Sequence, residues 1–342
     1  MASVDVTVRG AGVFGLSVAW ACARRGARVR VVAPEGPGAG ASAGLVGALA
    51  PHVPEAWNGL KQFQLDSLLM AQGWWAAVQA TGGVDPGYLR SGRLQPLADA
   101  QAVGMARDRA AGAAAQWGGA ADWRVEQATG AVWEPVSPSG WLLRDTLSAR
   151  LSPRGAGRAL AAALGTSQIV AEAADEGAVV HATGWRGLLA LSDAFGRKLG
   201  GGVKGQAASF RFAAPDQPQI YAGGLHVVPH ADGTVAIGST SETAWQDEAP
   251  DAQLEALIGR ARQVLPCLAD APVIDRWAGI RPRATSRQPV LGAWPGRKGH
   301  FIANGGFKIG FGMAPKLAEV LADLLLDGRD AVPDAFRIEA LL

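Results

Sequence analysis

Six residues near the start of the chain constrain its fold more than any others: Gly10-Ala11-Gly12-Val13-Phe14-Gly15, entered from an apolar run carrying Val4, Val6 and Val8. A small-residue segment with Ala19 follows, and a second apolar run spans 29–32. Strand, glycine turn, helix and strand in that order form the fingerprint of a dinucleotide site. Gly10 makes the tight turn, Gly12 lets backbone approach a pyrophosphate, and Gly15 lets the helix pack on the strand. The helix start then presents N–H groups and a partial positive charge to the phosphates.

The chain continues through Pro34-Glu35-Gly36-Pro37-Gly38-Ala39-Gly40-Ala41-Ser42-Ala43-Gly44 and then Gly47-Ala48-Leu49-Ala50-Pro51-His52. Such a run of small residues cannot fill a core. It suits backbone lying against a large flat ligand, because missing side chains permit close approach; a flexible surface loop is the competing reading. A nicotinamide enzyme has no need of a second glycine-rich crossing so near its first strand, which favours a flavin.

The formal net charge is +2, and no block of Lys or Arg points to nucleic acid or an anionic membrane. Cys22 and Cys267 have neither metal-like spacing nor a disulfide framework, and Cys22 falls inside the first helix, where it is expected to pack. The first apolar stretch is consumed by the nucleotide motif, so no signal peptide is expected. No apolar run reaches the roughly 18 residues of a membrane span. The expectation is a soluble, cytoplasmic protein with no metal site.

Helical spacing of apolar residues predicts helices over 57–81, 98–117, 153–164 and 251–264, with a last one over 314–326 capped by Gly328. Strands are predicted over 92–97, 177–182, 203–212, 220–229, 234–240 and 300–303, while 123–141, punctuated by Trp, Pro and Gly, reads as irregular. Parallel-type elements at both ends enclose a middle of alternating strands. The fold class is therefore α/β, with a nucleotide domain assembled from 1–85, 140–203 and 276–342, and a sheet-based substrate domain formed by 86–139 and 204–275.

With these segments in order, the chain resembles the D-amino-acid-oxidase-type (DAO) family of FAD-dependent oxidoreductases and, within it, glycine oxidase. The residues that carry the resemblance are the N-terminal fingerprint, Gly40-Ala41-Ser42-Ala43 leading to Ala50-Pro51-His52, Ala182-Thr183-Gly184-Trp185, and Val203-Lys204-Gly205-Gln206. They continue with Val228-Pro229-His230-Ala231-Asp232-Gly233 before Ile237-Gly238-Ser239-Thr240, Trp277-Ala278-Gly279-Ile280-Arg281-Pro282 before Gln288-Pro289-Val290-Leu291-Gly292, and Asn304-Gly305-Gly306-Phe307-Lys308-Ile309-Gly310 with Ala314-Pro315. The resemblance implies a Rossmann-type FAD-binding domain with an inserted, mainly antiparallel β-sheet substrate domain. It implies cofactor contacts from Gly10, Gly12, Val13, Phe14 and Gly15; from Ala33, Pro34, Ala41, Ser42 and Ala43; and from Gly47, Ala48 and Leu49. Thr183, Gly184, Trp185 and Arg281 would add to these, with Gly305, Gly306, Phe307, Lys308, Ile309 and Gly310. No cysteine sits near Arg281 where a covalent flavin link would form, so FAD is expected to be non-covalent.

The resemblance further implies oxidation of a small amine or amino acid (glycine, a D-amino acid or an N-methyl amino acid) to an imine, with oxygen or another acceptor taking the electrons. Arg281 matches the position of the carboxylate anchor, where a planar fork serves better than a point charge; a structural salt bridge is the alternative. His226 stands where glycine oxidase carries a tyrosine, and an ordinary strand histidine competes with a role in catalysis. Lys308 replaces an arginine near the substrate carboxylate; it would grip less well, hold a water, or face solvent. The second strand ends in Ala33 where an acid normally binds the adenosine ribose, leaving Glu35, or backbone and water, to do so. Two other readings remain: a flavin domain acting on a tRNA wobble uridine, which wants a more basic surface, and a flavin-binding protein whose active site has decayed.

Overall fold

The computed structural model describes residues 4–342; the first three residues of the expected segment 1–85 lie outside the described residues. The first half of the chain supplies β1 (Val6–Arg9), β2 (Val29–Val32), β3 (Ala48–Leu49), β4 (Arg93–Pro96), β5 (Trp123–Gln127), β6 (Trp141–Asp145), β7 (Ala149–Arg150) and β8 (Ile169–Val170). Then come β9 (Ala178–His181), β10 (Gly200–Arg211), β11 (Gln219–Ala222), β12 (Leu225–Pro229), β13 (Thr234–Gly238), β14 (Val273–Ala284), β15 (Val290–Ala293) and β16 (His300–Asn304). The helices are α1 (Val13–Ala23), α2 (Gly59–Gly82), α3 (Ala100–Trp117), α4 (Pro153–Leu164), α5 (Gly184–Ala194), α6 (Ala252–Val264) and α7 (Gly310–Asp327). Among the described residues no helix is long and apolar enough to cross a membrane.

Two sheets organise the chain. One has the order β15-β16-β9-β1-β2-β8 and is parallel except for the edge strand β15. Its central valines are buried on both faces, which is why β1 and β2 read as nearly continuous apolar runs. On one face α1 is buried from Phe14 to Cys22 and packs with residues of α2, α4 and α7 in a single core. A helix apolar all round needs such complete cover. Trp20 meets Trp74 edge-on at 4.5 Å, a geometry worth about 0.5–1.5 kcal/mol beyond the area it buries. Burial pushes the Cys22 thiol up to about 12, so it packs as a small hydrophobe. The opposite face is covered by Leu188 and Leu191 of α5.

The second sheet has the order β14-β10-β13-β12-β11-β4-β6-β5 and is antiparallel throughout except where β11 runs parallel to β4. Opposed residues share a face, so the register carries Ala207, Gly238, His226 and Tyr221 across four strands in one row. Leu94, Ala208, Ile220, Val227 and Ile237 occupy the other face, buried with Leu254 and Ile258 of α6. The mixed α/β class with a separate, mainly antiparallel sheet is the one expected.

Several elements differ from expectation. The stretch 123–141 contributes β5 and the start of β6, because Trp123 is buried against Trp117 at 5.9 Å and β5 finds a partner in β6. β6 lies within the segment 140–203 yet pairs in the eight-stranded sheet. The strand expected over 220–229 is a hairpin, β11 and β12, turned at Gly223 and Gly224. β14, which carries Arg281, and β15, which follows it in the other sheet, were not anticipated as strands. The last helix opens at Gly310, four residues early, with Gly310 against Val13 and Phe14 and Gly312 against Leu68 at ordinary contact distance.

Candidate functional site

A cavity of about 1330 Å³ runs from the turn between β1 and α1 to the floor of the eight-stranded sheet. Its first end is shaped by backbone crowding. Gly10 has φ of 104°, and a Cβ there would collide with the carbonyl of Ala182, while a Cβ at Gly15 would collide with the carbonyl of Gly10. Gly12 is the N-cap of α1 in extended conformation; a Cβ there would face Ser42 Oγ at 3.2 Å, and the backbone N–H of Val13 donates to that hydroxyl at 2.9 Å. The turn is thus a cradle that any side chain at position 12 would fill. Gly10, Gly12, Val13 and Phe14 line the cavity, as do Ala33 and Pro34 after β2, and Ala41 and Ser42 in the short helical turn Gly40–Ala43. Gly47, Ala48 and Leu49 continue the wall around β3, and Thr183, Gly184 and Trp185 enter from the start of α5.

The closing loop meets the opening turn directly. A Cβ at Gly306 would lie 2.8 Å from Phe14 Cζ, and Gly310 faces Val13 and Phe14 at 3.6 and 3.8 Å. Gly306, Phe307, Lys308, Ile309 and Gly310 line the cavity beside these residues, and α7 begins there. Three of the expected cofactor residues do not line it. Gly15 packs beneath Gly10, Ala43 accepts a hydrogen bond from Arg154 Nε at 3.0 Å, and Gly305 turns with φ of 77° against the backbone of residues 288–290. Each supports the wall from behind.

The cavity floor at the other end is made of small residues. Ala207 lines it, Gly238 pairs with Ala207 beneath Val46, and Gly205 lies directly under the Arg281 guanidinium, so that a Cβ at 205 would collide with that group. Arg281 is 8% exposed, lines the cavity, and donates through Nη1 to the Thr240 carbonyl at 3.1 Å. Burial pulls its ionisation down to about 10, opposed by Glu242, so it is a cation at neutral pH. Thr240 is itself fixed: its hydroxyl accepts from the Gln206 N–H at 2.9 Å and donates to Glu242. Gln206 Nε2 also donates to Glu242 at 2.9 Å and to Asp251 at 2.8 Å, and the fully buried Lys204 reaches Asp251 at 2.9 Å. This network holds Arg281 from below. Arg281 makes no salt bridge among the described residues; its hydrogen-bond partner is the Thr240 carbonyl.

His226, on β12, is pulled down to about 3 by burial, reinforced by the positive charges of Arg93, Lys308 and Arg281. Its imidazole is therefore neutral near pH 7, and Nδ1 has no hydrogen-bond partner among the described residues. Its ring lies 4.8 Å from that of Tyr221. Lys308 is pushed below the usual lysine range by burial and by Arg281 and Arg283, and its Nζ lies 5.7 Å from the Phe307 ring centroid. His52 lines the cavity, and its backbone N–H donates to Gln64 Oε1 at 2.9 Å. His230 Nε2 meets the Leu45 carbonyl at 2.9 Å, which ties the hairpin to the wall.

Sequence reasoning missed Arg93, Gln95 and Tyr221, which line the same chamber. Arg93 and Gln95 alternate with Leu94 along β4, and Leu94 lies in the core on the opposite face. That period-2 pattern was readable, but the chamber it faces is formed by strands distant in sequence. At the other end Ala33 donates its N–H to the Val170 carbonyl at 2.8 Å, and Glu35 lines the cavity with its carboxylate 3.5 Å from Arg186. No group of three His, Cys, Asp or Glu residues is placed to hold a metal among the described residues.

The glycine cradle, the uncluttered floor and the convergence of both chain ends fit an FAD. Comparison with known proteins agrees. The family model described as DAO, FAD dependent oxidoreductase, matches residues 5–324. The chain is 37% identical to the glycine oxidase of Pseudomonas aeruginosa over 134 residues, 39% of this chain and 36% of that protein. The alignment thus spans little more than a third of that relative's length. The glycine oxidase of Geobacillus kaustophilus aligns over 94% of this chain and 92% of its own length at 25% identity. Its crystal structure superimposes with a TM-score of 0.83, covering 98% of both chains at 23% identity. Iminodiacetate oxidase from Chelativorans sp. superimposes with a TM-score of 0.84, covering 97% of this chain and 98% of its own, at 20% identity. These two superpositions show a shared fold. The chain belongs to the DAO family of FAD-dependent oxidoreductases.

Proposed function

We propose that this chain oxidises a small amine or amino acid to an imine, with oxygen or another carrier as final acceptor. The observation that carries the reading is the single cavity into which the opening turn, the closing loop and the Arg281 guanidinium all project. FAD, when bound, supplies the acceptor for the hydride removed from the substrate α-carbon. Gly10, Gly12, Val13 and Ser42 would hold its diphosphate, and Gly306 to Gly310 would lie against its ring.

The chain's own residues then orient the substrate. Arg281 receives the carboxylate; its charge and planar fork fix both position and direction. Lys308 adds a second positive charge beside it. His226 offers a neutral ring nitrogen as a hydrogen-bond acceptor for the substrate amine, and an imidazole held at about 3 serves as an acceptor rather than a proton store. α7 opens on the cavity wall, so the positive end of its dipole faces the space where negative charge develops.

The test is anaerobic mixing of the FAD-bound protein with glycine, D- and L-amino acids and N-methyl amino acids, followed by absorbance. Bleaching by at least one of them, reversed by air or an added acceptor, is the expected result. A yellow protein that none of them bleaches contradicts the reading.

A further inference from the structure

We propose that the substrate is an amino acid bearing a second carboxylate, received at the far end of the chamber by Arg93 together with Tyr221 and Gln95; this rests on the amine-oxidation reading above.

The two cationic ends of the chamber come from different parts of the fold. Arg281 and Lys308 stand on β14 and on the closing loop. Arg93 stands on β4, at the other side of His226 in the sheet; β10, β13, β12 and β11 lie between β14 and β4 in strand order, and β12 carries His226. Its Cζ lies 5.9 Å from the Tyr221 ring centroid, and the Tyr221 ring lies 4.8 Å from His226. A ligand held at Arg281 and passing His226 therefore meets Tyr221 and then Arg93.

Arg93 is built to present charge. It is 6% exposed and lines the cavity, and its Nε donates to Asp145 Oδ2 at 2.8 Å. Asp145 is fully buried, and its other oxygen accepts the Ser148 N–H at 2.8 Å. The carboxylate thus grips one edge of the guanidinium and fixes its plane. The two terminal nitrogens make no hydrogen bond to any described residue, and neither is among the wholly enclosed polar atoms. They remain available as a bidentate donor pair, the geometry that matches a carboxylate. The Tyr221 hydroxyl and the Gln95 amide, both on cavity-lining residues, are likewise without a protein partner among the described residues.

The charge balance points the same way. The acids that line the cavity, Glu35 and Glu172, follow β2 and β8 at the nucleotide end. The substrate end carries Arg281, Lys308 and a neutral His226, together with Arg93, whose charge Asp145 balances from behind while its terminal nitrogens have no protein partner among the described residues. A monocarboxylate satisfies one cationic end and leaves the donors of the other unmatched. Sites built around hydrogen-bonding groups discriminate strongly against ligands that cannot use them.

The experiment uses the FAD-bound protein. Steady-state kcat/KM is measured for aspartate and glutamate of both hands and iminodiacetate, against glycine, alanine, asparagine, glutamine and sarcosine. Calorimetric titration with succinate and malonate, against propionate and acetate, reads binding without turnover. The expected result is a dicarboxylate preferred over its amide by on the order of 100-fold in kcat/KM, with the dianions binding more tightly than the monoanions. Replacing Arg93 alone would strand Asp145, so the pair is changed together as Arg93→Met/Asp145→Asn. In that variant the dicarboxylate-to-amide ratio collapses toward one, and the preference for dianions is lost.

Equal or better oxidation of neutral amino acids, with no dianion preference, overturns the inference and leaves amine oxidation standing. If no amine reduces the flavin, amine oxidation fails, and the titration alone decides whether a two-anion chamber exists. Retention of the dianion preference in the double variant also overturns the assignment to Arg93.

Discussion

Gly205 and Arg281 are best understood together. The guanidinium lies on the backbone of β10 only because position 205 has no side chain, and its direction is completed by the Thr240 carbonyl. Gly205→Val is expected to displace Arg281 and to raise KM for carboxylate substrates while leaving flavin bound. Arg281→Ala is expected to retain flavin and to lose about 2–5 kcal/mol of substrate affinity through the unmatched carboxylate. Steady-state kinetics on yellow preparations checks both, and unchanged kinetics in either variant removes Arg281 from the site. Arg281 was legible because its motif was; Gly205 was legible as part of the motif 203–206, but not its place beneath Arg281, since three strands of sequence separate the two. Arg93 was hidden for the same reason, although its alternation with Leu94 was in plain view.

At the scale of elements, the opening β1–α1–β2 unit was readable because each glycine answers a local constraint and the apolar runs have the right period. The helices over 57–81, 98–117, 153–164 and 251–264 were readable in the sequence, and the structure shows what starts them: the side chains of Asn58, Asp99, Ser152 and Asp251 cap their N-termini. The strands β5, β14 and β15 were less so, because their identity depends on partners rather than on their own pattern. Two glycines of the opening turn make separable predictions. Gly12→Val meets only a serine hydroxyl and is expected to fold, with unchanged far-ultraviolet circular dichroism, yet to purify colourless. Gly15→Val drives a side chain into the Gly10 carbonyl and is expected to lower the melting temperature as well. A fully yellow Gly12→Val protein would remove the diphosphate from this turn.

For the molecule as a whole, two histidines shape the acid limb of stability. His226 is held at about 3 and His181 at about 4 in the folded chain, against an ordinary 6.5, chiefly by burial. Between those values and 6.5 the unfolded chain binds more protons than the folded one, so stability is fully present above about pH 6.5 and falls as pH drops toward 4 and below. Melting temperatures measured from pH 7 down to pH 4 are expected to decline, and to decline less in His226→Asn. An identical slope in the variant would show that His226 is protonated as easily in the folded chain as in the unfolded one.

In the proposed arrangement two glycine-lined ends of one chain serve a single bound cofactor beneath a buried guanidinium. A crystal structure of the protein purified with its flavin tests that most directly. The expected result is one FAD spanning the cavity, with its diphosphate against Gly12 and Val13, its ring against Gly306 and Phe307, and the Arg281 side chain facing that ring. An FAD that touches Gly12 but not Gly306, or one bound elsewhere on the molecule, would contradict it.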